Sequence, residues 1–459
     1  MIFNFMLFLI ALLINNSFYT TAIVPKPSSY IKPSTVCYLN RPLDIKNNYS
    51  SCDILSEAVT RFEKRLELKH LPISEKVVVT CNIDNLNIKI GSGCDEGLGQ
   101  LWPNASIDES YQVWIEESQI SIESFEVWGA LHALETILQL VYQGEYSGNV
   151  IITGSLMDEP QFGHRGMLID TARYFLPLNV LEKLLDSMAM VKMNVFHWHI
   201  TDDQSFPFVS TTCPKLTEKG AYHQLKCIYS DGDVKNLLDY ACRRGIRVIP
   251  EFDTPAHTLS WGKGYPELLT KCYNGAQPNG KLGPLNPVNP SLYGFLKKFF
   301  EEIVRRFHDN YIHLGGNEVD YECWSSNPEI TKFMKDEKFG EDYYQLHRYY
   351  LVKLIEIVKN MMTTDPDLPI TPIVYQESYA DECGTDFKTI IHIWKTVEWE
   401  KHVYNATLDG YKVIVSGTWN LNDIQSDLDW MRYYSQNIKE FGAMHNLQKT
   451  IRRYADLVG

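Results

Sequence analysis

The stretch "YIHLGGNEVDYECW", residues 311–324, decides how the chain is read. Tyr311, Ile312 and Leu314 make a short apolar run, Gly315 and Gly316 end it, and Glu318 follows. Glycine is the residue that turns most freely at such a point. A carboxylate lifted just past the end of a buried strand sits where active groups collect in parallel α/β barrels. The side chain before it is an amide, Asn317.

Six more runs share that outline: "GMLIDTA" (166–172), "NVFHWHI" (194–200), "IRVIPEFD" (246–253), "PIVYQE" (372–377), "IIHIW" (390–394) and "YKVIVSG" (411–417). Helical stretches such as "VLEKLLDSMAMVKM" and "SLYGFLKKFFEEIVRRF" lie between them. Near-continuous apolar strands alternating with helices mean a parallel sheet covered on both faces. Seven such units within residues 161–436 predict a (β/α)8 TIM barrel whose eighth strand is missing from the pattern. Ahead of it, "KVVVTCNI" and "SYQVWIEESQISI" read as strands and "VWGALHALETILQLVYQ" as one amphipathic helix. Residues 23–160 are therefore expected to form a small α+β domain, with "MDEPQFGHRG" marking its boundary. In residues 437–459, Ile438, Phe441, Met444, Leu447, Ile451 and Tyr454 are spaced like one face of a helix, so a helical tail is expected.

The first residues, "MIFNFMLFLIALLINNSFYTTA", carry an apolar run too short to span a bilayer, then small residues. This is the layout of a signal peptide over residues 1–22, and it places the chain in the secretory pathway, lysosomal or secreted. Ten cysteines suit an oxidising compartment, and none forms a CxxC pair of the kind zinc sites use. Asn48, Asn104 and Asn405 head glycosylation sequons. A net charge of −14 argues against nucleic acid as a partner, because phosphate binding needs a basic face. No later segment reads as a membrane span.

Polar residues gather at the carboxyl ends of the expected strands. The first strand is preceded by Arg165 and ends near Asp170 and Arg173; the second runs into His197, His199, Asp202 and Asp203. The third ends in Glu251 and Asp253 with His257 beyond, the fourth in Asn317 and Glu318, and the rest near Tyr375, Trp394 and Trp419. Carboxylates with aromatic rings, and no glycine-rich phosphate loop, point to glycoside hydrolysis. "HWH" reads either as a metal pair or as two core histidines; a strand packed on both faces favours the core.

"HRGMLIDTARYFLPL", "KMNVFHWHITDDQSFPF", "IRVIPEFDTPAHTLSWG" and "HLGGNEVDYECWSSNPEI" closely resemble the β-N-acetylhexosaminidases of glycoside hydrolase family 20. That resemblance implies an exo-acting enzyme on terminal N-acetylglucosamine or N-acetylgalactosamine of glycans, with no metal and no organic cofactor. The substrate's own acetamido oxygen would be the nucleophile, so one protein acid suffices, an exception to the two-carboxylate rule. It implies that Glu318 is that acid, with a pKa raised by burial, and that Asp202 and His257 form a relay to it. It implies that Arg165 grips the terminal sugar, and that Trp394 and Trp419 wall the acetamido pocket. It also implies the disulfides Cys272–Cys323 and Cys52–Cys94, and a homodimer.

The chain departs from the family pattern at the pocket itself. Asn317 replaces the Asp that orients the acetamide and offsets charge on the oxazolinium ion. Asn420 replaces a Tyr that holds the acetamido carbonyl, and Tyr375 replaces a pocket Trp. The family's last strand, with its Trp and Glu, has no counterpart motif. These changes favour a second reading, a catalytically impaired relative that binds glycan or a partner subunit.

Overall fold

The computed structural model describes residues 23–31, 35–49, 51–68, 70–72, 78–92, 94, 101–144, 148–362, 369–380, 388–422, 426, 428–436 and 457–458. The expected signal peptide, Cys383 and nearly all of the expected helical tail lie outside them. The chain divides into two compact units. The first is residues up to Gln161 with Leu185–Asn194 and Cys242–Ile246, and the second is the remainder.

The first unit holds an eight-stranded mixed sheet. Its strands are β1 (Ser29–Ile31), β2 (Val36–Asn47), β3 (Val79–Ile90), β4 (Tyr111–Ile115), β5 (Gln119–Ser124), β6 (Val141–Gln143), β7 (Asn149–Ile152) and β8 (Gly154–Asp158), in the order β1-β8-β4-β5-β3-β2-β7-β6. "SYQVWIEESQISI" folds as the β4/β5 hairpin, with Ile115 opposite Ile120. The helix Asp53–Leu66 buries Ile54, Leu55, Ala58, Phe62 and Leu66 on one face. "VWGALHALETILQLVYQ" is not one helix. It ends at Gln139, and Val141–Gln143 turns into β6 against β7. Val141 and Tyr142 have the β-propensity that sheet pairing exploits, and the local apolar pattern does not distinguish the two states.

The second unit is a curled parallel sheet with helices after its strands. Its strands are β9 (Gly166–Asp170), β10 (Val195–Thr201), β11 (Arg247–Phe252), then an antiparallel hairpin of β12 (Leu269–Asn274) and β13 (Gln277–Leu285), followed by β14 (Tyr311–His313), β15 (Thr371–Tyr375), β16 (Ile390–Ile393), β17 (Val413–Val415) and β18 (Leu457–Val458). The order is β18-β17-β16-β15-β14-β11-β10-β9, and all neighbours are parallel. Every residue of β10 and β11 is buried, as a strand covered on both faces requires. The eighth place, which the sequence pattern leaves empty, is taken by the two-residue β18 from the tail. So short a strand carries no periodicity to read. Hairpin β12/β13 was not foreseen either. It is tied to the barrel by the disulfide Cys272–Cys323.

The glycines of "HLGG" are required by packing as well as by turning. Gly315 has φ +77°, and a Cβ there would fall 1.7 Å from Asp253 Oδ1. Gly316 N–H donates to that same oxygen at 3.0 Å. Gly315→Ala is therefore expected to destabilise the protein by roughly 2–5 kcal/mol, from left-handed backbone strain plus overpacking. A urea unfolding curve checks this, and a midpoint equal to wild type contradicts it.

Candidate active site

Register builds the site. β9, β10, β11 and β14 pair so that Asp170, His199, Glu251 and His313 are successive partners across the sheet. The β10/β11 register shifts between His199 and Thr201, a bulge-like irregularity. Such irregularities re-aim the residues that follow, and here these are Asp202 and Asp203. Past β11, His257 is held at φ 57°, and past β14, Glu318 is held at φ 52°. Left-handed backbone at non-glycine residues is costly and concentrates at functional sites.

These turns bring the three relay residues into line. Asp202 Oδ1 lies 3.2 Å from His257 Nδ1, and His257 Nε2 lies 3.4 Å from Glu318 Oε2. The second contact is an ion pair too long and too poorly aligned for a hydrogen bond. Asp202 Oδ2 meets His199 Nε2 at 2.9 Å and an Arg173 guanidinium nitrogen at 2.8 Å. Asp253 approaches the far ring nitrogen of His257 at 3.8 Å.

The charges follow from this packing. Burial opposes a charge on His257, but Asp253, Asp202 and Glu318 outweigh it and push its pKa up to about 11. Burial likewise opposes charge on Asp202, and the contacts with His199 and His257 hold its carboxyl well below the usual range. Burial, reinforced by Glu251, raises Asp253. Glu318 corrects the sequence expectation of a burial-raised acid. Its side chain is 56% exposed, and contact with His257 outweighs partial burial to hold it below an ordinary glutamate. In the free protein the proton therefore rests on His257 and Glu318 is ionised.

Over residues 162–455 the chain matches the glycosyl hydrolase family 20 catalytic domain, and over residues 23–140 a beta-acetyl hexosaminidase-like domain. The chain belongs to glycoside hydrolase family 20. It is 41% identical to the beta-hexosaminidase subunit beta of Felis catus over 412 residues, 87% of this chain and 74% of that one. Against the subunit alpha of Bos taurus it is 38% identical, covering 90% of this chain and 78% of the relative. Among solved structures, the chitobiase of Flavobacterium johnsoniae aligns with a TM-score of 0.70 at 26% identity, covering 89% of this chain and 63% of that one.

Within this family 20 frame, the other expected site residues divide. Arg165 lies just before β9. Its carbonyl accepts from Val195 at the start of β10, and its guanidinium donates to Phe162 O at 2.8 Å. Arg173 stands at the carboxyl end of β9, paired with Asp170 at 2.6 Å and with Asp202. The sequence reading noted Arg173 without assigning it a role. Asn317 is 9% exposed, and its Oδ1 has no hydrogen-bond partner among the described residues.

The aromatic residues are placed with equal definition. Trp394 donates its indole N–H to Glu377 at 3.0 Å, and Glu377 in turn pairs with Lys395 at 2.9 Å. Tyr375 is 6% exposed and packs edge-on to Trp394 at 6.0 Å, so it supports that ring and presents little surface of its own. Trp419 donates to Tyr433 O at 3.0 Å. Asn420 is exposed, and its Oδ1 accepts from the Asn422 N–H in a local turn.

Cys52–Cys94 and Cys272–Cys323 are both formed, and a third bridge, Cys37–Cys81, joins β2 to β3. Asn48 is exposed, and Asn104 and Asn405 are half-buried. His197, Glu251 and His313 each offer one donor atom to a common point. His197 Nε2 is only 2.6 Å from Glu251 Oε2, closer than two ligands on one zinc ion, about 3.3 Å apart for tetrahedral bonds near 2 Å. The trio fits a buried ionic cluster and assigns no metal.

The His257 shift gives a test of the relay in the folded protein. Its folded pKa lies above the unfolded value of about 6.5, so the stability it contributes is full below that pH and is lost as pH rises toward 11. Wild type should lose more Tm between pH 7 and pH 10 than His257→Gln does. Equal losses in the two proteins would contradict the assigned charges.

Proposed function

We propose that this chain is an exo-β-N-acetylhexosaminidase working through the substrate's acetamido group, with the chemical step slowed by Asn317. The Asp202–His257–Glu318 line is the observation that carries this reading. A sugar seated over Glu318 removes it from water, and desolvation raises the pKa of a carboxyl group. The proton on His257 Nε2 then passes to Glu318, leaving His257 neutral with its Nδ1–H on Asp202. Glu318 gives that proton to the leaving glycosidic oxygen while the acetamido oxygen attacks the anomeric carbon. Water opens the oxazolinium ion, Glu318 takes a proton from it, and the sugar leaves with its configuration retained.

Arg173, at the rim and paired with Asp202, is the residue this reading gives to the terminal sugar's hydroxyls. Trp394 and Trp419 are its pocket walls. Asn317 can accept the acetamide N–H through its orphaned Oδ1, but it carries no charge to offset the developing cation. Loss of one preorganised electrostatic group of this kind costs about 10²- to 10³-fold in rate. The relatives' names as hexosaminidase subunits support assembly with a second chain, for which this reading takes a homodimer in the secretory pathway; sedimentation reads the assembly directly. No helix among the described residues is long and apolar enough to cross a membrane.

Turnover of a chromogenic N-acetylglucosaminide tests the reading. Glu318→Gln should lower kcat by about 10²- to 10⁴-fold, the usual worth of a general acid. Asn317→Asp should raise kcat by about 10²-fold or more. Arg173→Gln should raise KM. A second reading, glycan binding without turnover, is favoured by the neutral Asn317. It replaces the first if neither wild type nor Asn317→Asp turns over while both bind the sugar.

A further inference from the structure

Beneath the acid lies a second set of titratable groups to which the proposed mechanism gives no role. His199 uses both ring nitrogens. Nε2 is 2.9 Å from Asp202 Oδ2, and Nδ1 is 3.1 Å from Glu251 Oε2. Glu251 is 0% exposed, and His197 Nε2 and His313 Nδ1 also approach it, at 2.6 and 3.5 Å. The Nε2 contact is a hydrogen bond, the Nδ1 contact an ion pair without hydrogen-bond alignment, and a carboxylate close to each nitrogen favours the imidazolium. The barrel register makes this arrangement possible, because His199 and Glu251 are direct partners on β10 and β11.

Asp202 is thereby divided between two imidazoles. Oδ2 faces His199 and Arg173, while Oδ1 faces His257. A carboxylate whose charge is offset at one oxygen holds a proton donor less strongly at the other. We propose that His199, gripped by Glu251, is a positioning residue of the relay, weakening the hold of Asp202 on the His257 proton and so easing its passage to Glu318. The inference rests on the reading of Glu318 as the acid.

The surrounding charges are consistent with that role. Burial opposes charge on His199, but Glu251 and Asp202, with Asp170 beyond, hold it well above an ordinary histidine. Burial opposes charge on Glu251, and His313, His199 and His197 hold it well below an ordinary glutamate. Asp253, raised by burial and by Glu251, is the other carboxyl close by. His313 and His392 are pushed down by burial.

The test compares wild type with His199→Gln in the full chain. Two quantities are followed against pH: kcat/KM on the chromogenic substrate, and the affinity of N-acetylglucosamine thiazoline, which reads the same proton without turnover. Removing one positive charge across the Asp202 carboxylate should move the alkaline fall of both curves upward by about one pH unit. At the plateau, kcat should fall about tenfold, which is one pH unit expressed as rate, with KM within about twofold. Alkaline falls at the wild-type pH in both curves would overturn the proposal. Glu251→Gln guards against a folding failure. In it the His199 imidazole, followed by NMR, should release its proton about one pH unit or more below wild type, and an unmoved titration overturns the grip by Glu251. If wild type shows no turnover, the acid reading fails on the kinetic curve, and the thiazoline and NMR measurements still decide the role of His199.

Discussion

One carboxylate, Asp202, organises the rim of the barrel. It accepts from His199 and His257 and pairs with Arg173, so residues from the turn after β9, from β10 and from the loop after β11 converge on two oxygen atoms. A buried carboxylate is tolerated only when paired and hydrogen-bonded. Asp202 meets that condition through His199, His257 and Arg173. His257 is aimed at Glu318 because its other nitrogen is held, and Arg173 is fixed at the rim because Asp202 and Asp170 hold it. The irregularity in β10 that turns Asp202 toward them is thus as much a feature of the site as the acid.

Asp253 has the matching role on the neighbouring strand. It accepts from Gly316 and leaves no room for a side chain at Gly315, so "HLGG" and "PEFD" are fitted to each other. Glu318 follows that fitted turn in a left-handed conformation. Its exposure and low proton affinity in the free protein then follow, since the turn lifts it out of the core and toward His257. In the proposed reaction the acid is armed by what covers it, since in the free protein His257 outweighs its partial burial.

Much of this was legible in the chain. Seven barrel strands showed as apolar runs because parallel strands are buried on both faces. Glu318, Asp202 and His257 followed from their places after such strands together with the family resemblance. The failures have local causes. Arg173 went without a role because residue type alone does not show that it pairs with Asp202. Val141–Gln143 continues the apolar pattern of the helix before it, and only pairing with β7 makes it a strand. β18 has two residues and no pattern at all. The state of Glu318 depends on a ring from a different loop, which no spacing along the chain records.

Asn317 gives the site its distinctive character. Asp202, His257 and Glu318 stand in line, while the residue before Glu318 is a buried amide with an unfilled acceptor. Such a pocket should hold the sugar and discriminate poorly in favour of the charged intermediate. Calorimetry with N-acetylglucosamine thiazoline and with N-acetylglucosamine, on wild type and Asn317→Asp, measures this directly. The restored carboxylate should tighten thiazoline binding by about 100-fold, the worth of one preorganised electrostatic group, and leave the free sugar within about threefold. Equal changes for both ligands would contradict the role given to Asn317.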